Sequence, residues 1–431
     1  MKDIKIELPV DDLPRSWYNI IPDLPQSLPP PKEPQDGSSR LEFLSEVMIR
    51  RCLEQENSDQ RWVPIPEELR ELYIQADRPR PLRRAKRLEK SLKTPARLYW
   101  KREDLSPTGS HKVNTALAQV FYAVKEGKVG ISTETGAGQW GTALSYASCL
   151  MGLKCVVFWV RNVYDWKTDR RTLMQMYGGV VHASPSKITK IGETILKTSP
   201  DHPGSLGIAI SEGLEYAKNS EGFVYCLGSV LNHVLLHQTV IGLETMEQFS
   251  ILEEKPDLMI GCFGGGSNFG GFTLPFIGEV IGKQRECEFL AAQSLAAPNI
   301  SQGEYRYDFA DYAGKTPLLK MYTLGHKASM PPIYGDGLRY SGASPILSLL
   351  KSLGYIKTVT YPIDEKLVFE ASRLFLQTEG FLPAPESSYA IRAMIDEAIK
   401  CRETGEEKVI ACNVSGHGFL DLQGYRKVLN L

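Results

Sequence analysis

Four short stretches carry residue types that do chemistry at a strand-to-helix turn. "SPTGSHKVN" (106–114) puts Lys112 just past a Gly-Ser turn, at the mouth of a helix. A desolvated amine near positive helix-dipole ends has a lowered pKa and suits Schiff-base chemistry. "FGGGSNFGG" (263–271) follows an apolar strand and opens a helix. Gly264, Gly265 and Gly266 let the backbone come close to a ligand, and Ser267 and Asn268 add side-chain donors. Free amides at such a helix start bind anions, and a phosphate monoester fits. No Lys-Ser/Thr pair follows the glycines, so this is not a Walker A loop and adenine nucleotides are disfavoured.

A phosphate site without a nucleotide signal, beside a buried amine, points to pyridoxal 5′-phosphate (PLP). "ETGAGQWG" (134–141) then admits two readings. Its last six residues match G-x-G-x-x-G, the fingerprint of an NAD-dependent oxidoreductase. Glu134, however, precedes them by two residues, and like charges ~4 Å apart cost about 4 kcal/mol at an effective dielectric of 20. The preceding strand end "STET" is also polar. The alternative is a smaller anion, an amino-acid α-carboxylate, on the amides of 135–139, with Glu134 beside it as proton carrier. In "NVSGHG" (413–418), the hydroxyl of Ser415 can face the pyridine nitrogen. A neutral partner leaves that nitrogen unprotonated, which favours elimination and replacement at the β-carbon over transamination. His233 and His237 have zinc-ligand spacing, but no third ligand matches and there is no H-E-x-x-H, so no metal site is expected.

The elements that must position these loops alternate. "ARLYWKRE", "KVGIST", "KCVVFWV", "LMIGCF" (258–263) and "KVIAC" read as strands, and "NTALAQVFYAVKEG", "WGTALSYASCLMG" and "SYAIRAMIDEAIKCRE" as helices. That order predicts an α/β protein with mostly parallel sheets, whose ligands sit at the carboxyl ends of strands. Upstream, Ser39 and Glu42 form a capping box before the amphipathic run "LEFLSEVMIRRCLEQ". The proline-rich 22–34 reads as an extended arm on the surface or on a neighbour. The basic run 78–90 reads as a solvated helix face or a contact to an anionic subunit.

The 431 residues are 42% apolar and 23% charged, with net charge −1, which asks for neither nucleic acid nor an anionic membrane. "MKDIKIELPV" shows no h-region of a signal peptide, and no apolar run approaches the roughly 20 residues of a membrane span. Eight scattered cysteines read as buried thiols of a reducing cytoplasm.

The order "KREDLSPTGSHKVN", "ETGAGQWG", "GGGSNFGG", "PAPESSYA", "NVSGHG", over 101–418, resembles that of fold-type II PLP enzymes and, within them, the tryptophan synthase β-chain family. Trp140, "LGSVLNHVLLHQTVIG" and "GDGLRYSG" resemble its divergent, longer class. The resemblance implies two domains, each a mostly parallel twisted sheet flanked by helices, with the active site between them. Residues 1–75 and 111–228 would form the N-terminal domain, and 76–110 and 229–431 the C-terminal one. It implies that Lys112 carries the cofactor, with His111 by the phosphate, Asn114 and Glu386 beside the ring and Ser415 at the pyridine nitrogen. Glu134 would be the acid–base, and Thr135, Gly136, Ala137, Gly138 and Gln139 would bind the substrate carboxylate. The implied reaction is L-serine plus indole to L-tryptophan. Serine/threonine dehydratase and cysteine synthase are the nearest rivals.

Two residues depart from the common form of that family. Trp140 stands where it has histidine, making the pocket bulkier. Arg339 stands where it has aspartate, which brings in O-phosphoserine as a competing donor. A homodimer is also implied, while an α-chain partner and a monovalent cation are left open.

Overall fold

The computed structural model describes residues 4–431. Residues 1–3, the start of the segment read as lacking an h-region, lie outside the described residues.

Two mostly parallel sheets organise the chain. The smaller has four strands in the order Val180–Ser184, Lys154–Val160, Gly130–Thr135, Phe223–Cys226, all parallel. The larger runs Lys5–Ile6, Leu82–Arg84, Arg97–Arg102, Val409–Val414, Leu258–Cys262, Glu288–Ser294, Lys357–Tyr361. Its last five strands are parallel, and the first two add antiparallel pairs at one edge. The central strands are buried on both faces, which is why "CVVFWV" and "LMIGC" read as near-continuous apolar runs. Helices Lys366–Glu379 and Pro385–Thr404 cover one face of the larger sheet and close a core around Trp100, Phe375, Tyr389 and Met394. Among the described residues no helix is long and apolar enough to cross a membrane.

The strands and helices expected around the loops are present, with two differences of detail. The strand 130–135 continues through the polar "STET", and Thr133 explains how. Its hydroxyl donates to the Cys226 carbonyl at 2.7 Å and accepts from Trp140 Nε1 at 2.6 Å, so the polar atoms are satisfied inside the sheet. The run 41–55 is split into helices Arg40–Val47 and Arg50–Glu56. Ser39 caps the first by accepting from the Glu42 amide at 3.1 Å. Glu33 accepts from the next two amides, those of Arg40 and Leu41.

The basic run corrects an expectation. Arg78 and Arg80 are 2% and 0% exposed, not solvated. Arg78 donates to both oxygens of Glu103 (3.1 and 3.0 Å) and to Glu244 (2.9 Å), and Arg80 also pairs with Glu103. Lys101 reaches Glu244 at 2.7 Å. Buried charge is tolerable only when paired, and these partners come from other elements. The proline-rich arm is fastened to the chain itself, where Lys32 and Leu318 exchange backbone hydrogen bonds of 2.9 Å each way.

Candidate active site

Three loops leave carboxyl ends of parallel strands and meet at one cavity: 135–139, 263–267 and the turn at Ser415. The first comes from the smaller sheet and the other two from adjacent strands of the larger one. Lys112, at the start of helix Val113–Lys125, opens on the same cavity.

Lys112 Nζ donates to the Gly228 carbonyl at 2.9 Å. Burial pushes its pKa down to about 8, against the opposing pull of the Glu134 and Glu386 carboxylates. A lysine whose hold on its proton is loosened towards neutrality becomes a better nucleophile and base. Glu134 is 3% exposed and burial raises it to about 7, although Tyr225 donates its hydroxyl to Oε2 and the Gly228 amide also faces the carboxyl. An amine lowered and a carboxyl raised, on one cavity, are two proton carriers poised near neutrality.

The glycine loop is held tightly. A Cβ on Gly265 would lie 2.3 Å from Ser229 Oγ, and one on Gly264 2.5 Å from the Gly337 carbonyl. Gly266, at φ +114°, turns the strand into helix Ser267–Ile281, a conformation side-chain-bearing residues rarely adopt. The first amides of that helix have no acceptor within it. Ser267 Oγ lies 3.2 Å from His111 Nε2. Burial and the neighbouring Lys112 drive His111 down to about 3, so its ring is neutral. Its backbone amide donates to Ser415 O at 2.8 Å, joining the lysine turn to the Ser415 turn. Asn268 donates inward to the Cys262 carbonyl at 3.2 Å and accepts from Asn413 at 2.7 Å.

Ser415 Oγ sits 2.7 Å from Ser387 Oγ and 3.5 Å from Cys262 Sγ, a thiol that burial raises to about 12. Among the described residues no charged group hydrogen-bonds to Ser415 Oγ, so it offers neutral hydroxyl chemistry. Glu386 accepts from Gln139 Nε2 and from the Gly337 amide, both at 2.9 Å. Thr135, Gly136, Ala137, Gln139 and Trp140 line the cavity. Trp140 presses its ring on Gly228, where a Cβ would lie 2.4 Å from it, and so braces the carbonyl that Lys112 touches.

Three expected residues do not line the cavity. Asn114 turns its amide into the buried charges, accepting from Arg78 at 2.9 Å and donating to Glu103 and Gln238. Gly138, at φ +93°, packs on Trp159 and opens helix Gln139–Met151. Arg339 pairs with Asp336 at 3.0 Å and lines an adjoining cavity that shares Gly136, Leu206 and Asp336 with the first. His233 and His237 are held by other side chains, His233 Nδ1 by Glu56 at 2.8 Å and His237 Nε2 by Gln55 at 2.9 Å.

The sequence reading passed over Tyr225, Gly228 and Asp336. Asp336 lines the cavity, and burial raises it to about 6. It stands three residues before Arg339 in "GDGLR", where an acid beside two glycines is the signal. Tyr225 lies on the strand beside Gly130–Thr135, and nothing in its own neighbourhood points to Glu134.

The donor set suits PLP: an amine for its aldehyde, amides and Ser267 for its phosphate, and the neutral hydroxyl of Ser415 on the same cavity. The chemistry defines a pyridoxal-phosphate enzyme, and the family described as "Pyridoxal-phosphate dependent enzyme" matches residues 74–416. The chain is 55% identical to "Tryptophan synthase beta chain 2" of Methanothermobacter thermautotrophicus over 421 residues, 98% of this chain and 97% of that one. It is 51% identical to "Tryptophan synthase beta chain" of Thermococcus gammatolerans over 428 residues, 99% and 97% of the two chains. Among solved structures, a fungal L-serine ammonia-lyase from Rhizomucor miehei superposes with a TM-score of 0.57 at 15% identity, covering 81% of this chain and 97% of that one. A PLP-dependent aspartate racemase does so at 0.57 and 17%, covering 83% and 98%. Those two share the fold. The chain belongs to the tryptophan synthase β-chain family of pyridoxal-phosphate dependent enzymes.

Proposed function

We propose that this chain joins L-serine to indole, releasing water, to give L-tryptophan, the last step of tryptophan biosynthesis. One observation carries the reading. In a chain with this kinship, Lys112 and Glu134 face one cavity beside a glycine loop, with proton affinities brought close together. Bound PLP supplies an electron sink that makes the α-proton of serine removable and its β-substituent expellable. Lys112 holds the cofactor and moves the α-proton. The amides of the Gly264–Gly266 turn and Ser267 hold the phosphate. The turn of Thr135, Gly136, Ala137 and Gln139, which lines the cavity, takes the α-carboxylate. Glu134, partly protonated near pH 7, gives a proton to the departing hydroxyl and takes one from indole. The apolar wall of Leu206, Ile210, Leu227 and Trp140 gives indole a dry place to stack. In this reading 111–228, with 1–75, forms one domain and 76–110 with 229–431 the other. The enzyme is a cytoplasmic homodimer, and an α chain is the partner that would deliver indole.

Lys112→Ala should abolish the visible band of the PLP–lysine imine, and with it tryptophan formation. Retention of both would sink the assignment. Serine supplied with indole, with sulfide or alone separates condensation from cysteine synthesis and deamination. Ammonia or cysteine as the main product would replace the reading.

A second donor has one observation in its favour. Arg339 and Lys327 line the adjoining cavity, which leads to Gly136 and Asp336. O-phosphoserine would carry its phosphate there as a better leaving group. It should match or exceed serine in turnover, and no turnover of it removes the idea.

A further inference from the structure

Asn299 is fully buried and lies behind the wall of the cavity, not on it. Its amide nitrogen points at three backbone carbonyls: Gly264 at 2.9 Å, Tyr340 at 2.9 Å and Gly342 at 3.0 Å. The opposite side fixes its orientation. The Ile300 amide donates to Oδ1 at 2.6 Å, and Gln293 Nε2 donates at 2.7 Å. A primary amide has two hydrogens, so three carbonyls must share them.

Three main-chain carbonyls converging on one point is not a usual hydrogen-bond arrangement for a side chain. It is the arrangement by which proteins replace the hydration shell of a monovalent cation. The carbonyls come from places that matter. Gly264 begins the phosphate loop, and Tyr340, which also lines the cavity, directly follows Arg339. Left without a central group, three carbonyl dipoles would repel one another in a dry site. The residues present do not fit a free cation here, because the centre of the cage is filled by a side chain.

We propose that Asn299 is a built-in substitute for a monovalent cation. It is a positioning residue: it ties the Gly264 loop to the Tyr340–Gly342 segment, and it makes the phosphate site indifferent to potassium or ammonium. The inference rests on the PLP assignment above and not on indole as the acceptor.

The test measures PLP affinity from the visible band, with potassium, ammonium or choline chloride exchanged at constant ionic strength. Wild-type protein should change less than twofold among the three salts. Asn299→Ala opens the cage, and should bind PLP at least tenfold more weakly in choline and regain most of that in potassium or ammonium. Asn299→Asp keeps the shape but turns an oxygen on three oxygens, and should acquire the same cation dependence. A merely structural asparagine would show no rescue that separates potassium from choline. A tenfold potassium effect on the wild type would overturn the proposal. So would folded Ala and Asp variants that respond alike to all three salts. If the Ala variant does not fold, the wild type and the Asp variant decide. Absence of any PLP band in the wild type would instead fell the cofactor assignment, and this proposal with it.

Discussion

Two clusters of buried charge lie on either side of the start of helix Val113–Lys125, and they are built on opposite terms. Behind it, Arg78, Arg80 and Lys101 meet Glu103 and Glu244, all with fully buried side chains. Burial would raise Glu103, but Arg78 and Arg80 overcome it and hold the carboxyl well below its usual range. In front, Lys112 donates its hydrogen bond to the Gly228 carbonyl and Glu134 accepts from Tyr225, while the charges of Lys112, Glu134 and Glu386 act on one another without a direct ion pair. Here burial wins, and both groups shift towards neutrality. A reactive pair is made by keeping opposite charges out of direct contact, so that burial outweighs their attraction. Asn114, two residues from Lys112, belongs to the paired cluster, so the rigid network aims the reactive lysine.

The largest expected effect comes from breaking the paired cluster. Glu103→Ala leaves three buried cations facing one carboxylate. Removing one partner of a buried pair costs ~3–5 kcal/mol, and Glu103 serves two arginines. Denaturant unfolding should show a loss at or above the top of that range, or no soluble protein at all. A loss under about 1 kcal/mol would mean that the network is not what holds this end of the helix.

That network also marks where sequence reading stops. Lys112, Glu134 and the Gly264–Gly266 turn were legible because each motif is contiguous and its backbone geometry is local. Arg78 and Arg80 were read as solvated because Glu103 and Glu244 lie 25 and 166 residues from Arg78. Tyr225 is 91 residues from Glu134, and only the pairing of their strands brings them together. Asn114 was placed correctly on its helix but given to the wrong side of it, since motif spacing does not say which cluster a polar side chain joins. The break after Val47 escaped because the apolar pattern runs through it, while Met48 bridges to Tyr225 instead of continuing the helix.

Glu134→Gln should lower the condensation rate ~100- to 10,000-fold, the usual weight of a positioned acid–base, and keep the PLP band. Its stability effect should have the opposite sign to that of Glu103→Ala. The folded-state pKa of Glu134, about 7, lies above its ordinary 4.5. Between those values the folded chain keeps a proton that the unfolded chain has released. The contribution is thus present at low pH and is lost as pH rises through 7, by about 3 kcal/mol at most. Thermal unfolding of the cofactor-free protein should show the glutamine variant equal to wild type near pH 4.5 and more stable near pH 8. Destabilisation at pH 8 would erase the distinction between the two clusters.

Tyr225→Phe sharpens the comparison with the smallest change. Of the groups around Glu134, the Tyr225 hydroxyl offsets the largest part of the upward push from burial. Without it the carboxylate is stabilised less and keeps its proton to higher pH. The ring remains, in the same strand and against the same neighbours, so packing changes little. A hydrogen bond to a charged group contributes ~1.5–3 kcal/mol, but only the difference between the two forms of Glu134 is felt, and Gly228 still faces the carboxyl. The pH at which Glu134 ionisation shapes kcat should therefore rise, by about one unit or less, with a modest fall in the maximum. Were the profile to move down instead, Tyr225 would be favouring the protonated acid, and Glu134 would owe its raised affinity to a partner rather than to burial.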